Sequence, residues 1–258
     1  DILRHCCRTN LPLKLQIGAK NRNKETFQGK ASQIVLFKGI KRQSRPIKRT
    51  QVMCDYAVER GLLNQKYKYI CGVDEVGRGA IFGPVVAGAV ILDPKKVYDY
   101  VSKGIKDSKK LTPNKRRELA EYIYLTALAY SIGWCWNDEI DEWNIVEATK
   151  RAMKMAVRGL QISPDYVLID GMKPNFLNTE GQGIIKGDNI SLSIAAASII
   201  AKVFRDETIT AFARFFPGYW FPQNKGYPTR DHIGAVTSKG FTEFHRKSFK
   251  IKENRNVR

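Results

Sequence analysis

Residues 71–92 read "CGVDEVGRGAIFGPVVAGAVIL". An apolar run stops on two adjacent carboxylates, Asp74 and Glu75. A Gly-Arg-Gly turn follows, and then a second apolar run rich in Val and Ala. This pattern predicts two strands, "KYICGVDEV" (68–76) and "PVVAGAVIL" (84–92), joined by a glycine-rich turn. Strand side chains alternate between faces, so Asp74 and Glu75 share one site only where the strand bends. The tripeptide is not a dinucleotide fingerprint, because Phe82 stands where the third glycine would fall. It is not a phosphate-binding P-loop either, since no Gly-Lys-Ser/Thr follows. It reads as a loop whose backbone can approach a ligand closely, carrying a permanently charged guanidinium.

Downstream, "TPNKRRELAEYIYLTAL" predicts a helix with Thr112 as N-cap and Pro113 at its first position. "ALAYSIGWCW" alternates as a strand, and residues 137–160 carry a helical stripe through Ile140, Trp143, Ile145, Val146, Met153 and Val157. Trp134, Trp136 and Trp143 are assigned to the core. "DYVLID" predicts a strand ending at Asp170, and "GIIKGD" another ending at Asp188. The Ala-rich run "SLSIAAASIIAKVFRDETITAFARF" (191–215) predicts a long helix. The order β-β-α-β-α-β-β-α indicates an α/β domain built on a mixed sheet. Four acids, Asp74, Glu75, Asp170 and Asp188, thus fall at strand ends, where open α/β sheets bind ligands. Converging carboxylates repel one another, and an all-oxygen set of this kind suits Mg²⁺ or Mn²⁺ rather than zinc.

The charge balance gives those acids a setting. The 258 residues hold 44 Lys and Arg against 25 Asp and Glu, a net charge of +19, which points to a polyanionic partner such as nucleic acid. Residues 1–50 alone carry a net +11. They are read, within a 1–66 extension, as a flexible basic arm, with a short helix expected over 51–64. A nucleic-acid arm, an organellar presequence and plain disorder are all compatible with the segment. The α/β domain is assigned to 67–258. No apolar run reaches the roughly 18 residues of a membrane span. The five cysteines lack paired metal-site spacing and suit a reducing compartment, so a cytoplasmic location is expected. His5, His232 and His245 are too far apart in sequence to suggest a metal site.

The blocks "GVDEVGRGAIFGPVVAGAVIL", "KDSKKLTPNKR", "LIDG", "IIKGDNISLSIAAASIIAKVFRD", "NKGYPTRDH" and "FHRKSF" occur in order over about residues 68–249. Together they resemble the type 2 ribonuclease H family, ribonuclease HII. Type 3 enzymes typically carry Lys where Arg78 stands. The chain departs from the family pattern in "NFLNTEGQG" (175–183) and in the basic arm. The resemblance implies a ribonuclease H-like mixed sheet flanked by helices, with a helical C-terminal portion. It implies Asp74, Glu75, Asp170 and Asp188 as catalytic metal ligands for Mg²⁺ or Mn²⁺, with Asp206 near the site but not a principal ligand. Gly77, Arg78 and Gly79 would contact the ribose 2′-OH and the adjacent phosphate, and Tyr227 would pack at the RNA–DNA junction. Lys109, Lys110 and Lys186 are further candidates for phosphate contact, and Ser198 and Lys202 for facing the substrate. The expected partners are RNA/DNA hybrids and ribonucleotide-containing duplex DNA, and the chain is expected to act as a monomer. A DNA nuclease of the same fold and a non-catalytic hybrid-binding protein are the alternatives. An assay on all-DNA duplex and a metal-dependent turnover assay separate them.

Overall fold

The computed structural model describes residues 55–106 and 108–250. The basic arm, and the beginning of the helix expected at 51–64, lie outside the described residues. The elements run α1 (Ala57–Asn64), β1 (Ile70–Val76), β2 (Val85–Ile91), α2 (Val97–Ser102), α3 (Pro113–Thr126) and β3 (Ala129–Cys135). They continue with α4 (Asn137–Arg158), β4 (Tyr166–Asp170), β5 (Gly181–Ile184), α5 (Leu192–Ala211), α6 (Phe221–Asn224) and α7 (Arg230–Lys239). Five strands form one mixed sheet in the order β3-β2-β1-β4-β5. β1 pairs antiparallel with β2 and parallel with β4, so the first hairpin and a crossover strand meet along one central element.

Alternation along the strands feeds two cores, one on each face of the sheet. Cys71 and Val73 of β1, with Val85, Ala87 and Ala89 of β2, pack against Ala148, Ala152 and Met153 of α4. On the opposite face, Val90 and Leu92 meet Ala196, Ile199 and Ile200 of α5, backed by Leu119 and Ile123 of α3. Helix α5 lies flush on the sheet because its contact residues are small and face glycine. A Cβ on Gly72 would come within 2.1 Å of the Ser193 carbonyl carbon, and one on Gly88 within 2.4 Å of the Ala197 oxygen. Such contacts are far inside van der Waals separation, which accounts for the Ala-rich run. Among the described residues no helix is long and apolar enough to cross a membrane.

Local chemistry sets the boundaries. Thr112 caps α3, its hydroxyl accepting from the Lys115 amide at 3.3 Å, and Pro113 occupies the first turn as its sequence predicts. Helix α4 is one stripe in the sequence but two segments in the structure. Asn144 takes φ 70°, and its side-chain oxygen accepts from the Val146 and Glu147 amides, capping the second segment from within. Trp136 is buried, whereas Trp134 and Trp143 are half-buried and differ from the core assignment. Trp134 stacks on Phe204, and Trp143 lies 3.6 Å beneath the Arg151 guanidinium. Helix α1 is anchored by a buried acid: Glu59 accepts from the Ser191 hydroxyl at 2.6 Å and the Ser193 amide at 2.8 Å. These groups sit at the N-terminus of α5, where a carboxylate is favoured.

Candidate active site

Parity on the sheet decides which acids meet. Asp74 lies two residues beyond Gly72 on β1, on the face that carries α5. Asp170 lies two beyond Leu168 on β4, and Leu168 packs with Ile194 of α5 on that same face. Asp188 arrives differently. The sequence predicts a strand running to Asp188, but β5 stops at Ile184. Lys186 then turns left-handed (φ 56°), and Gly187–Asn189 form a 3₁₀ turn that folds Asp188 back over the sheet end. The turn is pinned by the Gly187 amide, which donates to Asp170 Oδ1 at 2.6 Å. Carboxylate oxygens of Asp74, Asp170 and Asp188 consequently lie within 4.8 Å of one another.

Glu75 stands beside this trio. β1 runs on in register through Glu75, paired with Ala87, so no bend brings both neighbours to one face. Its Oε1 receives Arg78 Nη1 at 3.2 Å, while its Oε2 is buried with no hydrogen-bond partner among the described residues. Burial raises the Glu75 pKa; Arg78 pulls it back and Asp170 adds to the rise. Asp74 is only 4% exposed, and burial followed by the charge of Glu75 pushes its carboxyl well above the usual carboxylate range. A hydrogen bond from Ser198 opposes that rise. The Ser198 hydroxyl is itself 2.9 Å from that of Ser108, so a two-hydroxyl chain backs Asp74. Three converging carboxylates and an unpartnered buried oxygen of a fourth form an all-oxygen donor set able to hold a hard divalent cation.

Around this set the remaining candidates divide. Lys109 Nζ is 3.9 Å from Asp188 Oδ2, and Lys110 bonds Asn189. Lys186 is exposed at the head of the 3₁₀ turn. Asp206 is absent from the carboxylate trio; it pairs with Lys202 at 2.7 Å and Arg116 at 3.4 Å. Lys202 Nζ also lies 5.3 Å from the Tyr227 ring centre, and the Arg205 guanidinium 5.2 Å from it. Gly77 has φ 90°, and a Cβ there would meet Arg205 Nε at 2.1 Å. Among the described residues a Cβ on Gly79 would meet nothing within 4 Å, so the space they leave beside it is open.

The scan for known families matches the ribonuclease HII model over residues 71–252. The chain is 47% identical to the ribonuclease HII of Caldicellulosiruptor saccharolyticus, over 75% of this chain and 93% of that one. This chain belongs to the ribonuclease HII family. Its enzymatic class is therefore that of a ribonuclease. The fold agrees. The crystal structure of ribonuclease H2 from Pyrococcus horikoshii aligns with a TM-score of 0.60 at 26% identity, covering 71% of this chain and 95% of that one. The structure of Bst-RNase HIII in complex with Mn²⁺ aligns at a TM-score of 0.54 and 23% identity, over 67% and 63% of the two chains.

The turn that carries Tyr227 is held by two buried histidines, which the sequence shows only as members of the blocks "NKGYPTRDH" and "FHRKSF". His232 and His245 are distant in sequence, yet their Nε2 atoms approach to 3.2 Å. The Thr242 amide donates to His245 Nδ1 at 2.9 Å, which leaves the His245 proton on Nε2, pointing at His232. His232 must then carry its proton on Nδ1 and donate it to the Tyr227 carbonyl at 2.9 Å. Burial, then the neighbouring His232, holds His245 down at about 4 from an ordinary 6.5. Burial also lowers His232. A depressed histidine pKa leaves stability intact above pH 6.5. Stability is lost as pH falls toward 4, because only the unfolded chain takes up the proton there. For His245 that amounts to about 3 kcal/mol. The urea-derived stability of wild type should therefore fall relative to that of His245→Gln between pH 7 and pH 4.5. A difference that does not change with pH would exclude the neutral relay.

Proposed function

We propose that the enzyme hydrolyses the RNA strand of RNA/DNA hybrids and cuts on the 5′ side of single ribonucleotides embedded in duplex DNA, leaving 3′-hydroxyl and 5′-phosphate ends. The observation that carries this reading is the juxtaposition, in a ribonuclease HII chain, of the Asp74–Asp170–Asp188 carboxylates with the Gly77–Arg78–Gly79 loop. The alternatives, a DNA nuclease of the same fold and a non-catalytic binding protein, leave the open face of Gly79 without a purpose.

Asp74, Asp170 and Asp188, with Glu75 beside them, would hold Mg²⁺ or Mn²⁺. Bound there, a divalent ion supplies Lewis acidity toward water and the phosphate oxygens. The protein's own groups do the rest. Ser198 holds Asp74 in place, and the Gly187 amide holds Asp170. Lys109, Lys110 and Lys186 offer positive charge to the incoming backbone phosphates around the acids. Arg78, tethered through Glu75, presents a guanidinium to the phosphate beside the ribonucleotide. Around Gly79 no side chain intervenes, so backbone groups can reach a 2′-OH, the atom that separates RNA from DNA. Lys202 and Arg205 flank the Tyr227 ring, whose flat face suits a deoxyribose lacking the next hydroxyl.

The test is a substrate ratio. Tyr227→Ala should lower kcat/KM at a single embedded ribonucleotide roughly tenfold more than on a continuous RNA/DNA hybrid, because discrimination appears in that constant. Equal losses on both substrates would remove Tyr227 from junction reading. Intact all-DNA duplex under the same conditions excludes the DNA-nuclease alternative.

A further inference from the structure

Two arginines outside the acid cluster are fully buried, Arg205 on α5 and Arg246 after α7. Among the described residues neither forms an ion pair with a carboxylate. Burying a guanidinium without a counter-charge costs several kcal/mol unless its donors are satisfied. Here backbone carbonyls take up the donors of Arg205 and two of those of Arg246, whose Nη2 is buried with no hydrogen-bond partner among the described residues. Arg205 donates to Pro84 O at 2.9 Å, Phe82 O at 3.0 Å and Lys225 O at 2.8 Å. Arg246 donates to Gly83 O and Arg78 O, each at 3.0 Å, and its own amide to Ile81 O at 2.9 Å.

Those acceptors fall on two segments. Arg78, Phe82, Gly83 and Pro84 belong to the turn between β1 and β2, which contains the Gly-Arg-Gly tripeptide. Lys225 begins the turn that carries Tyr227. Arg205 therefore bridges the two, and backbone bonds reinforce it: the Ile81 and Phe82 amides both donate to Gly226 O, at 2.9 and 3.3 Å. The Gly83 amide donates to Phe244 O at 2.9 Å, and the Phe82 ring packs 4.0 Å from that of Phe221. Arg205 also occupies the space a Gly77 side chain would need, which couples the first glycine of the tripeptide to the clamp. The histidine relay then holds the Tyr227 carbonyl from the far side.

We infer that Arg205 and Arg246 are positioning residues for ribonucleotide reading, clamping the Gly77–Gly79 loop and the Tyr227 turn into one preformed unit. This rests on the substrate roles proposed above for that loop and for Tyr227. The clamp fixes the distance between the group that reads the 2′-OH and the ring that packs on the next sugar. A single ribonucleotide demands that distance, since only one hydroxyl is present and the following sugar lacks one. A continuous hybrid offers a ribose at every position and tolerates a looser unit.

Arg205→Lys and Arg246→Lys keep the charge but lose the planar fork that spans several carbonyls. Assayed at a temperature where circular dichroism shows each variant folded, both should lower the ratio of kcat/KM on the single-ribonucleotide duplex to that on the continuous hybrid. The expected fall is roughly tenfold or more, since small misplacements of positioning groups are costly. A ratio held at the wild-type value, with both rates falling together, would reduce the arginines to general stabilisers and overturn the inference. Wild-type hydrogen exchange gives a second reading that needs no variant. The Ile81, Phe82 and Gly83 amides should be protected in substrate-free enzyme to the level of the β1 amides. Free exchange at those three would show that the unit is not preformed. Gly79→Ala separates the two layers of the argument. If it leaves kcat/KM on the single-ribonucleotide duplex unchanged, the reading of the loop itself fails. If it lowers that constant while the arginine variants hold the wild-type substrate ratio, only the clamp fails.

Discussion

Asp188→Asn and Asp74→Asn should each reduce kcat on an RNA/DNA hybrid by on the order of a thousandfold or more, the loss expected when several kcal/mol of metal-assisted stabilisation disappears. Hybrid affinity should stay within a few-fold of wild type, because attraction for the substrate comes from the +19 background rather than from the acids. Folding should survive as well. The three carboxylates lie within 4.8 Å of one another, and neutralising one relieves repulsion in the metal-free protein. In chelator, either variant should therefore melt at or above the wild-type temperature. Added Mg²⁺ should raise the melting point of wild type by mass action and that of the variants much less. Near-wild-type cleavage by either variant at saturating Mg²⁺ would remove that residue from the mechanism. An undiminished Mg²⁺-dependent rise in melting temperature would remove it from the ligand set, whatever happened to the rate.

Gly79→Ala should cut kcat/KM at a single embedded ribonucleotide by on the order of a hundredfold while leaving the melting temperature within a degree or two of wild type. The basis is the open space beside Gly79: an added methyl meets no protein atom within 4 Å, so the folded state bears no steric cost. A ribose brought within hydrogen-bonding distance of the backbone would meet that methyl. A site built to bond a hydroxyl loses much when the bond cannot form. Gly77→Ala makes the informative contrast. Its backbone sits at φ 90°, and its added Cβ would overlap Arg205, so that variant should lose stability as well as activity. Full single-ribonucleotide activity in Gly79→Ala would mean that the tripeptide does not read the sugar.

Much of this architecture was written in local pattern. The apolar runs at 68–76 and 84–92, the Thr112–Pro113 start signal and the Ala-rich run from 191 were sufficient for the strands and helices that build the mixed sheet. These are short-range effects: backbone propensity, capping and the two-residue period of a strand operate within a few residues. The four acids were visible for the same reason, since each ends or follows an apolar run. One local reading failed where a tertiary bond intervened, and one expected helix is interrupted by its own side chain. Asn144 divides α4 by capping from within, and β5 ends four residues early because the Gly187 amide turns back to Asp170.

Which acids meet was a matter for the folded chain. Strand parity and the pairing of β1 with β4 put Asp74 and Asp170 on one face and left Glu75 to Arg78. The clamp was illegible for a related reason. Arg205 and Arg246 are separated by forty residues, and their partners are carbonyls, which every residue possesses and no sequence pattern marks. His232 and His245 become a relay only when α7 and the segment after it pack on Phe82 and Phe221. Sequence by itself determined the elements, the family and the inventory of charged groups, because those depend on neighbours along the chain. The tertiary structure alone decided which charges converge, which stay paired and which are buried against backbone, because electrostatics and desolvation depend on distance through space.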